Sequence, residues 1–228
     1  MVAVSLKKKK NKKYKKNNII KQETIVIDNL EESIKDEFLQ RLVERVQRIK
    51  IGLPDDMATE FGPLCTLAQR QKIEQVVASS IQQGAQLLTG GQAIDRAGYY
   101  YPPTILDCSD APQADCVMTE LFGPVLSVVG FRTEAEAIQT ANHTAYGLAA
   151  GIFTHNLSRA HRMTKAIRSG IVWLNTYRAV SPLAPFGGHG LSGHGREGGF
   201  EAVFDYTTTK TVWLRTSDEP IDDPFVMR

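Results

Sequence analysis

Two glycine-bearing loops hold the residues best suited to chemistry in this sequence: Glu120-Leu-Phe-Gly-Pro-Val125 and Pro185-Phe-Gly-Gly-His-Gly-Leu-Ser-Gly-His-Gly-Arg-Glu-Gly198. In the first, a carboxylate beside an aromatic and a rigid Gly-Pro turn can accept hydrogen bonds from a sugar diol while the ring packs on a flat heterocycle. An acidic loop residue next to a core Phe gives the same pattern, because Gly-Pro turns are common. In the second, five glycines fall within the ten residues after Phe186. That density lets backbones approach closely and is entropically costly. Its spacing is neither G-x-G-x-x-G nor a Walker loop, which argues against a phosphate cradle. Three cysteines are the candidate nucleophiles. Cys65 follows the Gly62-Pro-Leu64 turn, while Cys108 and Cys116 flank a Pro-Gln loop with no nearby His or helix N-terminus to acidify a thiol. They read as structural thiols. His189 and His194 share the glycine loop but lack a third ligand, so exposed loop histidines and no metal site are expected.

The elements that must position these loops alternate between short apolar runs and amphipathic segments from Thr24 onward, the pattern of an α/β protein. Asn29 with Glu32 reads as a capping box, followed by Ile34, Phe38, Leu42, Val46 and Ile49 at helical spacing up to Gly52. Thr66 with Gln69 opens a second helix, which carries Ile73, Val76, Val77 and Ile81 and ends at Gly84. Strands are predicted over 85–88, 99–106, 125–131, 148–154 and 171–174. Further helices are predicted after the Thr133/Glu136 box and over 158–168. A last strand, 206–214, alternates Thr with apolar residues and suits pairing with another sheet or chain.

At 228 residues, 42% hydrophobic and 23% charged, the composition is that of one or two cored domains. The net charge of +2 conceals an asymmetry, since residues 1–24 hold nine lysines against the single acid Glu23 and the rest is net acidic. Nucleic-acid binding by the body is therefore disfavoured and is left to the lysine tail alone. The tail, residues 1–24, is expected to be disordered. It reads either as an anion or nuclear-targeting tether or as translated A/T-rich sequence of no selected role. No apolar run is long enough for a membrane span, and three cysteines in no paired framework suit a reducing compartment, so a cytoplasmic location is expected.

Taken in order and spacing, Glu120 to Val125, Trp173-Leu-Asn175, Pro185 to Gly188 and Ser192 to Gly198 resemble the NAD(P)-dependent aldehyde dehydrogenases. The resemblance extends through Asp36 to Gly52, Gly62-Pro-Leu64, Gly90-Gly91, Pro103-Thr-Ile105, Tyr146-Gly-Leu148 and Tyr206 to Val212, and covers about Glu32 to Leu214. It implies a C-terminal half: a truncated, parallel-sheet catalytic domain over 25–204, followed over 205–228 by a C-terminal oligomerisation strand and tail. It implies NAD or NADP as cofactor, an aldehyde as substrate and a homo-oligomer. By resemblance Glu120 would bind the nicotinamide-side ribose hydroxyls and Phe122 would pack near the nicotinamide. Tyr177, Val180 and Phe186 would line the substrate tunnel. In the family a cysteine in a Gly-Gln-x-Cys-like segment attacks the aldehyde, hydride passes to the nicotinamide and water hydrolyses the thioester. Lysines and asparagines stand at that place here, and the base glutamate and cofactor domain belong further upstream. The expectation is an inactive piece of an aldehyde oxidiser, or a non-catalytic interaction module.

Overall fold

A computed structural model describes residues 2–5, 26–219 and 225. Its centre is a seven-stranded sheet in the order β3-β4-β5-β2-β1-β6-β7. The strands are β1 (Val2–Ser5), β2 (Val26–Glu31), β3 (Gln86–Thr89), β4 (Thr104–Asp107), β5 (Val125–Phe131), β6 (Ala149–Phe153) and β7 (Ile171–Leu174). Every neighbouring pair is parallel except β3 with β4. The crossovers are α1 (Glu32–Gln47), α2 (Leu67–Gln82), the single turn α3 (Asp115–Met118), α4 (Glu134–Asn142) and α5 (Leu157–Ala166). This is the expected α/β architecture.

Because successive strand residues point to opposite faces, the register sorts the core. On one face Leu30, Ile105 and Val128 are buried against Leu39 and the flanking apolar residues of α1. On the other face, Leu106, Val125 and Val129 meet Ile73 and Val77 of α2 and Cys116 and Val117 of α3. Farther along, Ala150 and Ile152 meet Ala137 and Ala141 of α4 and Met163 of α5. The capping signals at Thr66 and Thr133 operate as read: each side chain accepts from the backbone N–H three residues on.

Four expectations are corrected. Asn29 does not cap α1; it lies inside β2, fully buried, and the helix starts at Glu32 with Glu31 at the N-cap position and no side-chain cap. The polar residue is overridden by the ladder to Val129 and Val4 on either side. Residues 99–103 do not join β4, because Pro102 and Pro103 offer no N–H to a ladder. The strand over 206–214 is not formed: 201–206 is a 3-10 turn and 207–214 has no strand partner among the described residues. A strand exists only against another edge. Finally, residues 2–5 of the expected disordered tail form β1, in register with Ile27 to Leu30 and Ala150 to Phe153. The apolar Val-Ala-Val run ahead of the lysines supplies a strand. The lysine run itself lies outside the described residues.

Candidate functional site

The 119–124 loop links α3 to the N-terminal end of β5. Leu121 is buried and anchors it, while Phe122 is 50% exposed and Glu120 is half-buried. Phe122 has φ 49°, a left-handed conformation that is uncommon for a non-glycine residue and concentrates at functional positions. Its surroundings hold it there. The Gln69 amide of α2 donates to the carbonyl oxygens of Leu121 and Phe122, the latter at 2.9 Å, and Lys72 Nζ donates to the Glu120 carbonyl at 3.3 Å. A Cβ on Gly123 would come within 2.2 Å of Ile73 Cδ1, so a larger residue there would have to displace that buried side chain for the loop to settle onto α2. The carbonyls are thus turned inward, and among the described residues the Glu120 carboxylate has no ion pair.

Tyr177 follows the opposite, C-terminal end of β7. Asn175, at φ 54°, pins that end to β6: its Oδ1 accepts from Thr154 N at 2.8 Å and its Nδ2 donates to Thr154 O at 2.9 Å. The chain then folds back over the sheet. The Tyr177 ring stands edge-on to Trp173 with centroids 5.3 Å apart, and a Cβ on Gly151 of β6 would meet it at 3.3 Å. Trp173 Nε1 donates to Ala179 O at 2.8 Å. Gly151 and Trp173 are register partners, so Tyr177 lies across the sheet face that α1 covers at the other end. Val180 is exposed.

From there the chain runs to the N-terminal ends of β6 and β7, where the glycine loop packs. Phe186 and Glu197 exchange backbone hydrogen bonds of 2.7 Å, and Arg196 Nη1 donates to Gly188 O at 2.8 Å and Gly195 O at 2.9 Å. A Cβ on Gly187 would come within 2.2 Å of Gly195 O and one on Gly190 within 2.4 Å of Ala145 O, so backbone contact accounts for part of that glycine density, while a Cβ on Gly193 or Gly195 would meet nothing within 4 Å. Gly147 N donates to Ser192 Oγ and Gly147 O accepts from His189 N, both at 3.1 Å. Phe186, half-buried, therefore shares an end of the sheet with Glu120 and Phe122, three to four strand spacings away, roughly 14–19 Å. The structure brings Tyr177 beside Trp173 and Phe186 beside Glu197. It does not bring either into contact with the 119–124 loop.

Cys65 is exposed and Cys108 and Cys116 are buried against each other. His189 and His194 are exposed, and no group of three His, Cys, Asp or Glu among the described residues is arranged to hold a metal. The roles of Gln69, Lys72, Thr154 and Arg196 in holding the loops are not legible in the sequence, where Gln69 stands only as the partner of the Thr66 cap and Arg196 only within the glycine motif. Their partners are carbonyls or amides, which carry no side-chain signature; only the Thr66 cap, which starts α2 and so sets the phase of Gln69 and Lys72, was visible.

A model of the aldehyde dehydrogenase family matches residues 26–212. The chain is 77% identical over 199 residues to the (Z)-2-((N-methylformamido)methylene)-5-hydroxybutyrolactone dehydrogenase of Acinetobacter baylyi, covering 87% of this chain and 41% of that protein. It is 42% identical over 197 residues to a betaine aldehyde dehydrogenase of Cereibacter sphaeroides, covering 86% of this chain and 40% of that one. Among solved structures it is similar to the Staphylococcus aureus betaine aldehyde dehydrogenase in complex with NAD+, with TM-score 0.74, 38% identity and coverage of 79% of this chain and 36% of that one. It is also similar to the P. syringae indole-3-acetaldehyde dehydrogenase in complex with NAD+ and IAA, with TM-score 0.78, 41% identity and coverage of 83% and 38%. The chain spans about 40% of the length of the curated relatives it matches.

Proposed function

Since the chain belongs to the aldehyde dehydrogenase family, we propose that these residues are the C-terminal part of an NAD(P)-dependent aldehyde oxidiser and supply two walls of its site. The observation that carries the reading is the 119–124 loop, in which a half-exposed aromatic is held in a strained conformation by Gln69 and the carboxylate two residues before it has no ion pair among the described residues. Such a loop fits a nucleoside: Glu120 can accept hydrogen bonds from ribose hydroxyls and Phe122 offers a face to the nicotinamide ring. When bound, that group would take the hydride from the substrate carbon. This chain's part is to hold the ribose and exclude water from one side of the ring.

Tyr177, Val180 and Phe186 are proposed to line the approach of the aldehyde. The 77% identity to the Acinetobacter protein supports a 5-hydroxybutyrolactone as the substrate of the whole protein. Such a hydroxylactone is the ring-closed form of an aldehyde acid, so ring opening presents the carbonyl that this chemistry needs. The Arg178 guanidinium lies 5.6 Å from the Tyr177 ring centroid, a like charge to an ammonium, so an uncharged substituent suits that surface better. A homo-oligomer is part of the same proposal, supported by the exposed 207–214 segment with its outward Val212, Trp213 and Leu214. A cytoplasmic location and a division at residue 205 complete it; a division at residue 25 does not hold, because β1 lies in the same sheet as β2 and β6.

No Gly-Gln-x-Cys segment precedes β2 in these 228 residues, so they should not oxidise an aldehyde on their own. The test is to mix the chain with NAD, then NADP, and the hydroxylactone, and to follow the absorbance of reduced nicotinamide. None should form. Sustained turnover would overturn the reading and direct attention to Cys65, the exposed thiol. A second reading, an interaction module, is favoured only by the 207–214 segment and would show as binding to intact aldehyde dehydrogenase subunits without any change in their cofactor affinity.

A further inference from the structure

Cys108 lies just past β4 and Cys116 is the second residue of α3, and their Sγ atoms are 3.5 Å apart. Both are buried in the cluster formed by α2, α3 and the sheet, with exposures of 0% and 3%. Their backbones are fixed from several sides. Cys108 N donates to Val128 O at 2.7 Å, Cys116 N donates to Ser80 Oγ at 2.9 Å, and Cys116 O accepts from Ser127 Oγ at 2.9 Å. The intervening turn is closed by Ala111 N to Cys108 O and Ala114 N to Ala111 O, each 3.0 Å. The two sulfurs therefore face each other because the fold makes them do so. A disulfide needs a separation of about 2.05 Å, so closure asks for a movement of about 1.5 Å shared between two side chains and a one-turn helix.

We propose that Cys108 and Cys116 are a redox pair that a peroxide converts to an intramolecular disulfide, with the turn α3 as the part that moves. The Cys116 thiolate attacks a peroxide oxygen; an S–O bond forms, the O–O bond breaks and the displaced hydroxide takes a proton to leave as water. The Cys108 sulfur then attacks the sulfenic sulfur; the S–S bond forms, the S–O bond breaks and a second water leaves with the Cys108 proton. The dithiol gives up two electrons and the peroxide gains them. Either sulfur can donate across the 3.5 Å contact; with Cys108 as donor, its hydrogen bond draws the Cys116 thiol below the usual cysteine range, and the same contact, with burial, pushes Cys108 above it.

Access sets the rate. α3 is held at its start by Ser79 Oγ donating to Asp115 Oδ2 at 2.6 Å and by Asp115 N donating to Gln83 Oε1 at 2.8 Å, and it must open to admit the oxidant. Since α3 leads directly into Glu120, closing the bond would also shift the 119–124 loop, whatever that loop binds. The chemistry does not depend on the proposed function.

The experiment is peptide mapping of the full chain after hydrogen peroxide, with free thiols alkylated in denaturant. Residues 97–132 form one tryptic peptide that contains both cysteines. It should become lighter by two hydrogen atoms and take up no alkylating reagent unless first reduced. The conversion should speed up in sub-denaturing urea, persist in Cys65→Ser and disappear in Cys116→Ser. Full alkylation of both cysteines after a treatment that has oxidised Cys65 would overturn the proposal, as would sulfinic acid at either one without a cross-link. Both readings come from the unmutated chain, so a variant that fails to fold does not decide the matter.

Discussion

Phe122 and Asn29 are both held against their own preferences, and they differ in what holds them. At Phe122 the left-handed backbone costs on the order of 1–3 kcal/mol, and the Gln69 amide offsets it by bonding two carbonyls. Gln69→Ala should therefore lower stability by about 1–3 kcal/mol and raise protease sensitivity near residue 122, measured by urea denaturation and limited proteolysis. Asn29 has no such support. Its carboxamide is fully buried with both its nitrogen and its oxygen unpartnered among the described residues. Replacing it with Leu removes two unpaired polar atoms, and the urea midpoint should rise, with a gain of about 1–3 kcal/mol at unchanged slope. The two cases show what sequence reading reaches at this scale. Glu120 and Phe122 stand in a motif, and so were found; Asn29 was mistaken for a cap because Asn followed three residues later by Glu looks the same whether the chain is turning into a helix or still running in a sheet. The near contact of Cys108 with Cys116 was invisible because the spacing fits no framework and only the α3 turn brings them together.

Elements are joined by polar ties that carry their own pH dependence. Lys35 of α1 donates to Asp107 Oδ2 at 3.0 Å and to Ser109 Oγ at 2.9 Å, and Ser109 in turn binds Gly130 N. Burial works to raise the Asp107 carboxyl, but the hydrogen bonds from Ser109 and the Lys35 ammonium outweigh it and hold it below the ordinary carboxylate range. A depressed folded value means the contribution is present above the unfolded value, about pH 4, and is lost as pH falls through the folded one. Acid titration of unfolding should show stability dropping below about pH 4, and Asp107→Asn should flatten that drop. At the start of α4, Thr133→Ala should cost about 1 kcal/mol, read as a shift of the denaturation midpoint. Boundaries were legible where turn chemistry frames an apolar run: β5 and β7 fall on the predicted residues. The turn α3 was missed because four residues carry no period, and β4 was drawn too long because Tyr99 to Tyr101 look like a strand until the prolines are weighed.

The molecule as a whole presents an exposed, extended apolar segment. Beyond α1, the face bearing Gly151 and the buried Trp173 is covered among the described residues by the Tyr177 segment rather than by a helix, whereas Val212, Trp213 and Leu214 stand out from the body, Trp213 at 94% exposure. Exposed apolar surface of this kind seeks a partner. The chain should sediment as an oligomer or aggregate, and Trp213→Lys should shift it toward monomer; a clean monomer before mutation would refute this. The α/β class and parallel order were legible from alternating patterns, while the strand over 206–214 was not formed because pairing depends on a second edge that no single sequence specifies. The position of β1 has a temporal consequence. Val2 pairs with both Ile27 and Ala150, so the two halves of the sheet are stitched through residues 25 and 148 positions apart in the chain. On a ribosome β1 has to wait for β6 to emerge, and parallel ladders of such long sequence separation close slowly. A nascent chain halted before β6 would carry β1 with one of its two ladders unmade, leaving an edge open to chaperones or to other unfinished chains.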